Sequence, residues 1–409
     1  MFERLLLQYP QKQDDLELKK KEARSITFVI ITKDRPERIK QLIRSILKTQ
    51  LIYRSIVLID DSNTDNFIKT RSFLQSHLIE FKQLSSSQAG KLVEKNLKKT
   101  NLTTDEKKFI RKCTGLKSPF CGYAEPFLEP SKSELDLSTC LQFAPYSPAR
   151  NLGIYSAVKF FNPDIIIFLD DDCLILYPEK LCNQLQLIEA KLNQKTIVAV
   201  AGLYKDLFAR LFSEDKNLEK ILSILRGMDI FLKESFTVGK TRFKKMPPHM
   251  LGGALILHKR VFSVVPFDPY ISRGEDHAYA WDLKKFLTKN EIAIRDNHFI
   301  IDHQKQTSKN TCAKKHIELN VLRDIFRFVY SRTKTGRSFI PLFPVRWALT
   351  SLCNLFLNPS NYMQYKNELL TLLFIAPKYA KENGSNFRQS IKAWNKFFVN
   401  KNGNYCVRY

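Results

Sequence analysis

The stretch Asp164–Cys173, D-I-I-I-F-L-D-D-D-C, restricts the fold more than any other part of this chain. Five apolar residues, Ile165 to Leu169, run straight into three carboxylates, Asp170, Asp171 and Asp172. The run is short, β-branched and aromatic, and Asn162-Pro163 punctuates it upstream. That pattern predicts a strand buried on both faces, as in a parallel sheet. Three adjacent acids repel one another at a strand end. A divalent cation among them removes the repulsion, and carboxylate oxygens suit Mg²⁺ or Mn²⁺, ions commonly shared with substrate phosphates. A solvated acidic turn is the competing reading, because Asp is a common turn residue.

The neighbouring pattern alternates strand and helix. Ser25–Thr32, S-I-T-F-V-I-I-T, reads as a buried strand. Asp34 and Glu37 then have capping-box spacing around Pro36, and Ile39, Leu42, Ile43, Ile46 and Leu47 form one apolar helix face. Ser55–Ile59 is a second strand, ended by Asp60-Asp61-Ser62-Asn63. This is a βαβ unit, with a right-handed crossover. Ligands of open parallel sheets bind beyond the carboxyl ends of the strands, where Thr32, Asp34, Arg35, Asp60 and Asp61 fall. For the acids, helix capping is the plainer alternative.

Further along, Ser147-Pro148 predicts a helix start with Arg150 and Asn151 in its first turn. A cation there opposes the helix dipole and points to a partner anion, either Asp170–Asp172 or a bound diphosphate. Tyr177-Pro178-Glu179 predicts another helix, with Leu181, Leu185, Ile188 and Leu192 inward, and Thr196–Tyr204 another strand. Leu251–Leu257 reads as a strand opening with Gly252-Gly253, a sign of close approach by a backbone or ligand. Glu275 and Asp276 stand after Gly274 at a helix start, where carboxylates are favoured in any case. Glu291–Ile301 is the last strand-like piece, followed by Asp302-His303. Between 67 and 145 the pattern weakens and reads as an insertion with one strand of uncertain position. A helix is expected around 218–225.

The chain of 409 residues carries 66 Lys+Arg against 41 Asp+Glu, a net charge of +25 that favours polyanionic partners. The excess is uneven: from Asn320 onward there are fourteen Lys/Arg and three acids, Asp324, Glu368 and Glu382. The eight cysteines form no C-x-x-C pair and no zinc-finger spacing, and Met1–Pro10 has no secretory character, so reduced thiols in the cytoplasm are expected. The longest apolar candidate, Phe339–Leu357, is interrupted by Pro341, Pro344 and Arg346, which argues against a membrane span.

Several motifs in order resemble the family 2 glycosyltransferases of the GT-A fold. They are F-V-I-I-T-K-D-R-P, I-V-L-I-D-D-S-N-T-D, A-R-N-L-G-I, F-L-D-D-D, G-G-A-L-I-L-H-K-R-V-F and R-G-E-D-H, spread from Ile26 to His303. The resemblance implies an α/β fold with a mostly parallel, Rossmann-like sheet flanked by helices. It would comprise a lead-in (1–24), a catalytic domain (25–310) and a helical basic C-terminal region (311–409). It implies transfer of a sugar from a UDP- or GDP-linked donor to a hydroxyl of a glycan, lipid or protein, with inversion. Thr32, Asp34, Arg35, Asp60, Asp61, Arg150, Asp170 and Asp171 would bind the donor. Asp170 and Asp172 would hold Mn²⁺ or Mg²⁺ as a D-x-D pair, with His303 as a further metal or phosphate contact. Asp276 would be the general base, assisted by Glu275. No Q-x-x-R-W motif of processive synthases is present.

Two other classes compete. A sugar-nucleotide nucleotidyltransferase shares a similar sheet, but the Gly-rich first loop is missing, since Thr32-Lys33-Asp34-Arg35 stands there. A non-catalytic basic protein on nucleic acid or membrane would explain the charge. No nucleic-acid motif is present, so nucleic acid is not expected as partner. An anionic membrane surface under the basic, aromatic C-terminal region is compatible with the enzyme.

Overall fold

The computed structural model describes residues 16–17, 24–49, 51, 54–77, 79–115, 146–205, 242–245, 250–271, 274–303, 330, 334 and 376–398. The helix expected around 218–225 and the segment 339–357 lie outside them.

One mixed sheet organises the chain. Its strands are β1 (Leu16–Glu17), β2 (Ile26–Thr32), β3 (Arg54–Asp60), β4 (Glu80–Leu84), β5 (Ile165–Asp170), β6 (Cys173–Ile175), β7 (Lys191–Leu192), β8 (Lys195–Tyr204), β9 (Phe243–Lys245), β10 (Leu255–His258) and β11 (Glu291–His303). The path runs β1-β7-β8-β10-β5-β2-β3-β4, with β11 pairing β6, β8 and β9. From β4 through β3 and β2 to β5 all pairing is parallel. β10 is antiparallel to both β5 and β8, while β8 and β11 are again parallel. The sheet flanked by helices is the expected α/β arrangement, with its parallel character concentrated in the first half. The strand of uncertain position is β4, at the parallel edge.

Helices cover both faces: α1 (Pro36–Leu47), α2 (Thr64–Gln75), α3 (Ser86–Lys98), α4 (Thr104–Cys113), α5 (Tyr146–Phe161), α6 (Leu181–Leu187), α7 (Lys259–Phe262), α8 (Glu275–Phe286) and α9 (Ala376–Phe398). Alternation along each strand divides the core in two. Phe28, Ile30, Ile165, Ile167 and Leu169 pack with Ile39, Ile43 and Leu74 of α1 and α2. Val29, Ile166 and Phe168 face the opposite way, toward α3, α4, α5, α8 and α9.

Three local expectations are corrected. Asp34 does not cap α1. Arg35 occupies the N-cap without a side-chain bond, and Asp34 sits at φ 52°, its carboxylate turned to the β3 loop. The helix starting near Pro178 ends at Leu187, so Leu192 lies in β7 instead of on a helix face. Asn193 and Gln194, both at positive φ, make the two-residue reversal from β7 into β8. Gly252-Gly253 form a turn before β10 and are not part of it.

The C-terminal helix is part of the core. Phe387, Trp394, Phe397 and Phe398 of α9 are buried, and Trp394 Nε1 donates to the Phe262 carbonyl at 3.0 Å. These aromatic side chains therefore belong to the core and not to the surface of the C-terminal region. Lys334 Nζ lies between Asp268 (2.7 Å) and Asp282 of α8 (2.9 Å), all three buried. Burial alone would lower the Lys334 pKa, but the two carboxylates outweigh it and keep the ammonium charged. Removing one partner of such a group leaves an uncompensated buried charge. Lys334→Met should lower stability by about 3–5 kcal/mol in chemical denaturation. Adding Asp268→Asn and Asp282→Asn should restore most of that loss.

Candidate active site

The candidate site lies at the carboxyl ends of β2, β3 and β5, and its centre is Arg150. The guanidinium is buried on α5, which packs against β2 and β3. Its Nη2 donates to Asp170 Oδ1 at 2.9 Å, its Nε to Glu275 Oε1 at 3.0 Å, and its Nη1 to the Gly252 carbonyl at 3.1 Å. The rings of Phe168 and Phe267 lie 5.8 and 5.7 Å from its Cζ. Burial by itself would lower its pKa, but Asp170, Glu275 and Asp276 together raise it, so the cation persists.

The antiparallel entry of β10 explains the double glycine. Leu255 pairs with Phe168, which brings the preceding turn alongside Asp170. A Cβ on Gly252 would stand 2.3 Å from Arg150 Nη2. One on Gly253 would meet the Tyr204 hydroxyl at 2.6 Å and Asp170 Oδ2 at 2.8 Å. The signal of close approach was legible, and the approaching groups are site side chains. Gly252 also donates its N–H to Asp276 Oδ2 at 2.9 Å, and Gly253 donates to the Tyr204 oxygen at 3.1 Å.

The site carboxylates divide by environment. Asp170, 31% exposed, accepts from Arg150 on one oxygen and from the Tyr204 hydroxyl (3.2 Å) on the other. Burial pushes the Tyr204 phenol well up, so it remains a donor. Asp172, 15% exposed, has Arg38 at 3.8 Å and Arg35 at 3.9 Å beside it. Asp171 instead points inward. It accepts from the Thr32 hydroxyl and from Arg35 Nη1, both at 2.8 Å, and burial raises its pKa to about 6 against the pull of Arg35. Thr32 and Asp171 thus latch β2 to the acidic turn.

The remaining loop acids hold the framework. Buried Asp60 accepts from the Ser62 N–H and from Gln83 Nε2 (2.6 Å), and burial raises its pKa. Asp61 accepts from the N–H and hydroxyl of Ser86 at the start of α3. Asp34 accepts from the Asn63 N–H and from Asn66 Nδ2, bracing the two loops against each other. On the opposite side, Glu275 is buried against Arg150 while Asp276, 17% exposed, opens to the site. Burial raises the pKa of both; Arg150 opposes the rise in each case, and the Asp276 charge adds to it at Glu275. Asp170, Arg150, Glu275 and Asp276 thus form one connected group, with Asp171 and Asp172 beside it. The backbone of His303 lies opposite Cys173 in the β11–β6 ladder, immediately after the acidic turn.

Sequence reading missed Arg38 and Tyr204. Arg38 sits in the first turn of α1, and its position three residues after Arg35 was the available signal. Tyr204 ends a buried strand, and nothing in its neighbours marked it. Among the described residues no group of three or more His, Cys, Asp or Glu is arranged to hold a metal. Asp170 and Asp172 nonetheless provide two hard oxygen donors on one turn. That set fits an ion whose remaining ligands are phosphate oxygens and water, and not a cage made by protein alone.

No family model matches the chain, and no curated protein matches it significantly. Among solved structures it is similar to the mannosyltransferase PcManGT from Pyrobaculum calidifontis in complex with GDP-Man and Mn²⁺, with 10% identity, a TM-score of 0.47, and 97% of this chain and 93% of that chain covered. It is also similar to the mannosyl-3-phosphoglycerate synthase from Rubrobacter xylanophilus (11%, TM-score 0.40, 78% and 79% covered). TarS 1-349 of S. aureus is a third (9%, TM-score 0.37, 91% and 90% covered). None reaches a TM-score of 0.5, so the chemistry has to be read from the site's own residues.

Gly252→Ala tests the packing around Arg150. The added methyl must displace the guanidinium, and overpacking of this kind costs roughly 1–3 kcal/mol. Thermal denaturation should show that loss.

Proposed function

We propose that this protein is a glycosyltransferase that uses a nucleotide-diphosphate-sugar donor and inverts the anomeric centre. The observation that carries this reading is the shared guanidinium. Arg150 joins a carboxylate at the end of a central strand, Asp170, to the acidic start of α8, where Asp276 opens to the same space. A donor-side and an acceptor-side carboxylate are thereby held on two walls of one site.

In this reading Asp170 and Asp172 hold Mn²⁺ or Mg²⁺, which when bound supplies positive charge against the departing diphosphate. Arg35 and Arg38, beside Asp172, add cationic donors facing the same charge. Asp276 accepts the proton of the acceptor hydroxyl while that oxygen attacks the anomeric carbon. The carbon–oxygen bond to phosphate breaks, and the diphosphate leaves with the electron pair. A single displacement inverts the centre. The Gly252 N–H fixes Asp276 Oδ2, and burial makes this carboxylate a stronger base than an exposed one. Thr32, Asp34, Asp60, Asp61 and Asp171 act here through the loops they hold, and His303, whose backbone pairs with Cys173 next to the acidic turn, is a candidate phosphate or metal contact. The donor is a UDP- or GDP-linked sugar and the acceptor a glycan, lipid or protein hydroxyl. The cytoplasmic location and the division at 25 and 310 are part of the same proposal.

A screen of UDP- and GDP-sugars by calorimetry and donor turnover, with and without Mn²⁺, tests it. Asp170→Asn and Asp172→Asn should each weaken metal-dependent donor binding by about tenfold or more. Asp276→Asn should leave donor binding intact and lower transfer by roughly 10²–10⁴-fold. Indifference of the wild type to every donor and metal would remove the assignment. The raised pKa of Asp276 keeps it protonated, and inactive as a base, to higher pH than an ordinary carboxylate. Transfer should therefore fall with acidification through a pKa above that of an ordinary aspartate, and a pH–rate profile shows where.

A further inference from the structure

The outer helices α3, α4 and α9, over one face of the sheet, carry a dense group of exposed cations. α3, α4 and α9 all bury apolar residues in the same core, including Val93, Leu97, Ile110, Trp394 and Phe397. Their opposite stripes must then face outward on the same side of the molecule. Glu94 of α3 is forked by Arg111 of α4 at 2.6 and 2.9 Å. α4 and α9 lie antiparallel: Lys396 pairs with Glu106 at one end. At the other, Lys112 lies over the Tyr270 ring, which meets Tyr379 edge-on. The three helices are therefore one continuous layer, tied to the core through Lys334 and Trp394.

Each helix presents its cations at helical spacing. On α3 they are Lys91, Lys95 and Lys98; on α4, Lys108 and Lys112; on α9, Lys378, Lys381, Arg388 and Lys392. Leaving aside the paired Lys396, these nine exposed cations stand with only two exposed acids, Asp105 and Glu382. Helices α1 and α2, over the other face, expose three cations and two acids, a much smaller local excess. Like charges gathered this densely are held apart from counter-charges within the fold, and they attract a polyanion. The described large apolar side chains that are exposed, Ile68 and Phe286, lie on none of the three helices. A broad basic layer without stacking aromatics matches a lipid headgroup surface better than single-stranded nucleic acid, whose bases stack on aromatic rings.

We propose that the α3–α4–α9 layer docks on an anionic phospholipid surface, through charge alone and without insertion. This is independent of the catalytic reading, since it concerns a face built from other helices and is read by binding. The full chain is sedimented with phosphatidylcholine vesicles, with and without phosphatidylglycerol, at low and at high salt. The wild type should bind only the phosphatidylglycerol vesicles and release them at high salt. The combined variant Lys378→Glu, Lys381→Glu, Arg388→Glu and Lys392→Glu alters exposed positions only. It should keep the wild-type melting temperature and lose about a hundredfold or more in vesicle partitioning. An equal change of net charge on the other face, Arg44→Glu, Lys48→Glu, Lys69→Glu and Arg71→Glu, should leave most of the binding. The proposal is overturned by a wild type that ignores anionic vesicles at low salt, or by an α9 variant that binds within about threefold of wild type. Equal losses in both variants, or tight binding of a mixed-sequence RNA without vesicle binding, would also overturn it.

Discussion

A buried guanidinium is tolerable only where its donors are met, because an unpaired charge in the interior is strongly unfavourable. Arg150 meets that requirement from three directions: β5 through Asp170, α8 through Glu275, and the glycine turn through the Gly252 carbonyl. Much of the candidate site follows from this. The turn must be glycine because a Cβ would occupy the space of the guanidinium or of Tyr204. Asn151, the next residue, ties the same segment to Phe267, accepting its N–H and donating to its carbonyl. Phe267 in turn stacks on Tyr279 of α8, their centroids 4.4 Å apart. The charged centre and its aromatic surround are thus parts of one packing arrangement.

The acids of the site illustrate how one residue type takes two roles. Asp34, Asp60, Asp61 and Asp171 accept from backbone N–H groups, hydroxyls, an amide or an adjacent arginine, and so set the course of the loops. Asp170, Asp172 and Asp276 remain partly open to solvent. Burial explains Asp60 and Asp171, whose inward carboxylates lose water and must find donors in the protein, whereas Asp34 is exposed and Asp61 half-buried, and both are held by donors of the neighbouring loops.

The C-terminal helix is connected to this centre through Lys334. The ammonium clamps Asp268, in the segment after Phe267, to Asp282 on α8. Gly384 of α9 lies against the Lys334 stem, where a Cβ would be 2.9 Å from its Cγ, and Phe387 packs 4.1 Å from its nitrogen. The helix that presents Glu275 and Asp276 is therefore braced from behind by residues distant in the chain.

By itself the sequence determined three strands of the parallel half and left the fourth, β4, without a position. β2, β3 and β5 are apolar enough that only a sheet covered on both faces can bury them, and their periodicity is local information. It also marked Arg150, the three aspartates and the glycine pair as unusual, because each breaks an ordinary rule of charge or propensity, whereas Glu275-Asp276, at a helix start that favours acids, stood out through the resemblance alone. Only the tertiary structure decided which acids face inward. The choice depends on donors such as Ser86 and Gln83, 25 and 23 residues away from the acids they bind. It also decided the antiparallel insertion of β10, the role of Tyr204 and the burial of the α9 aromatics. Those depend on which surfaces meet once the chain is compact, and side-chain period alone does not say which partner a buried face will have.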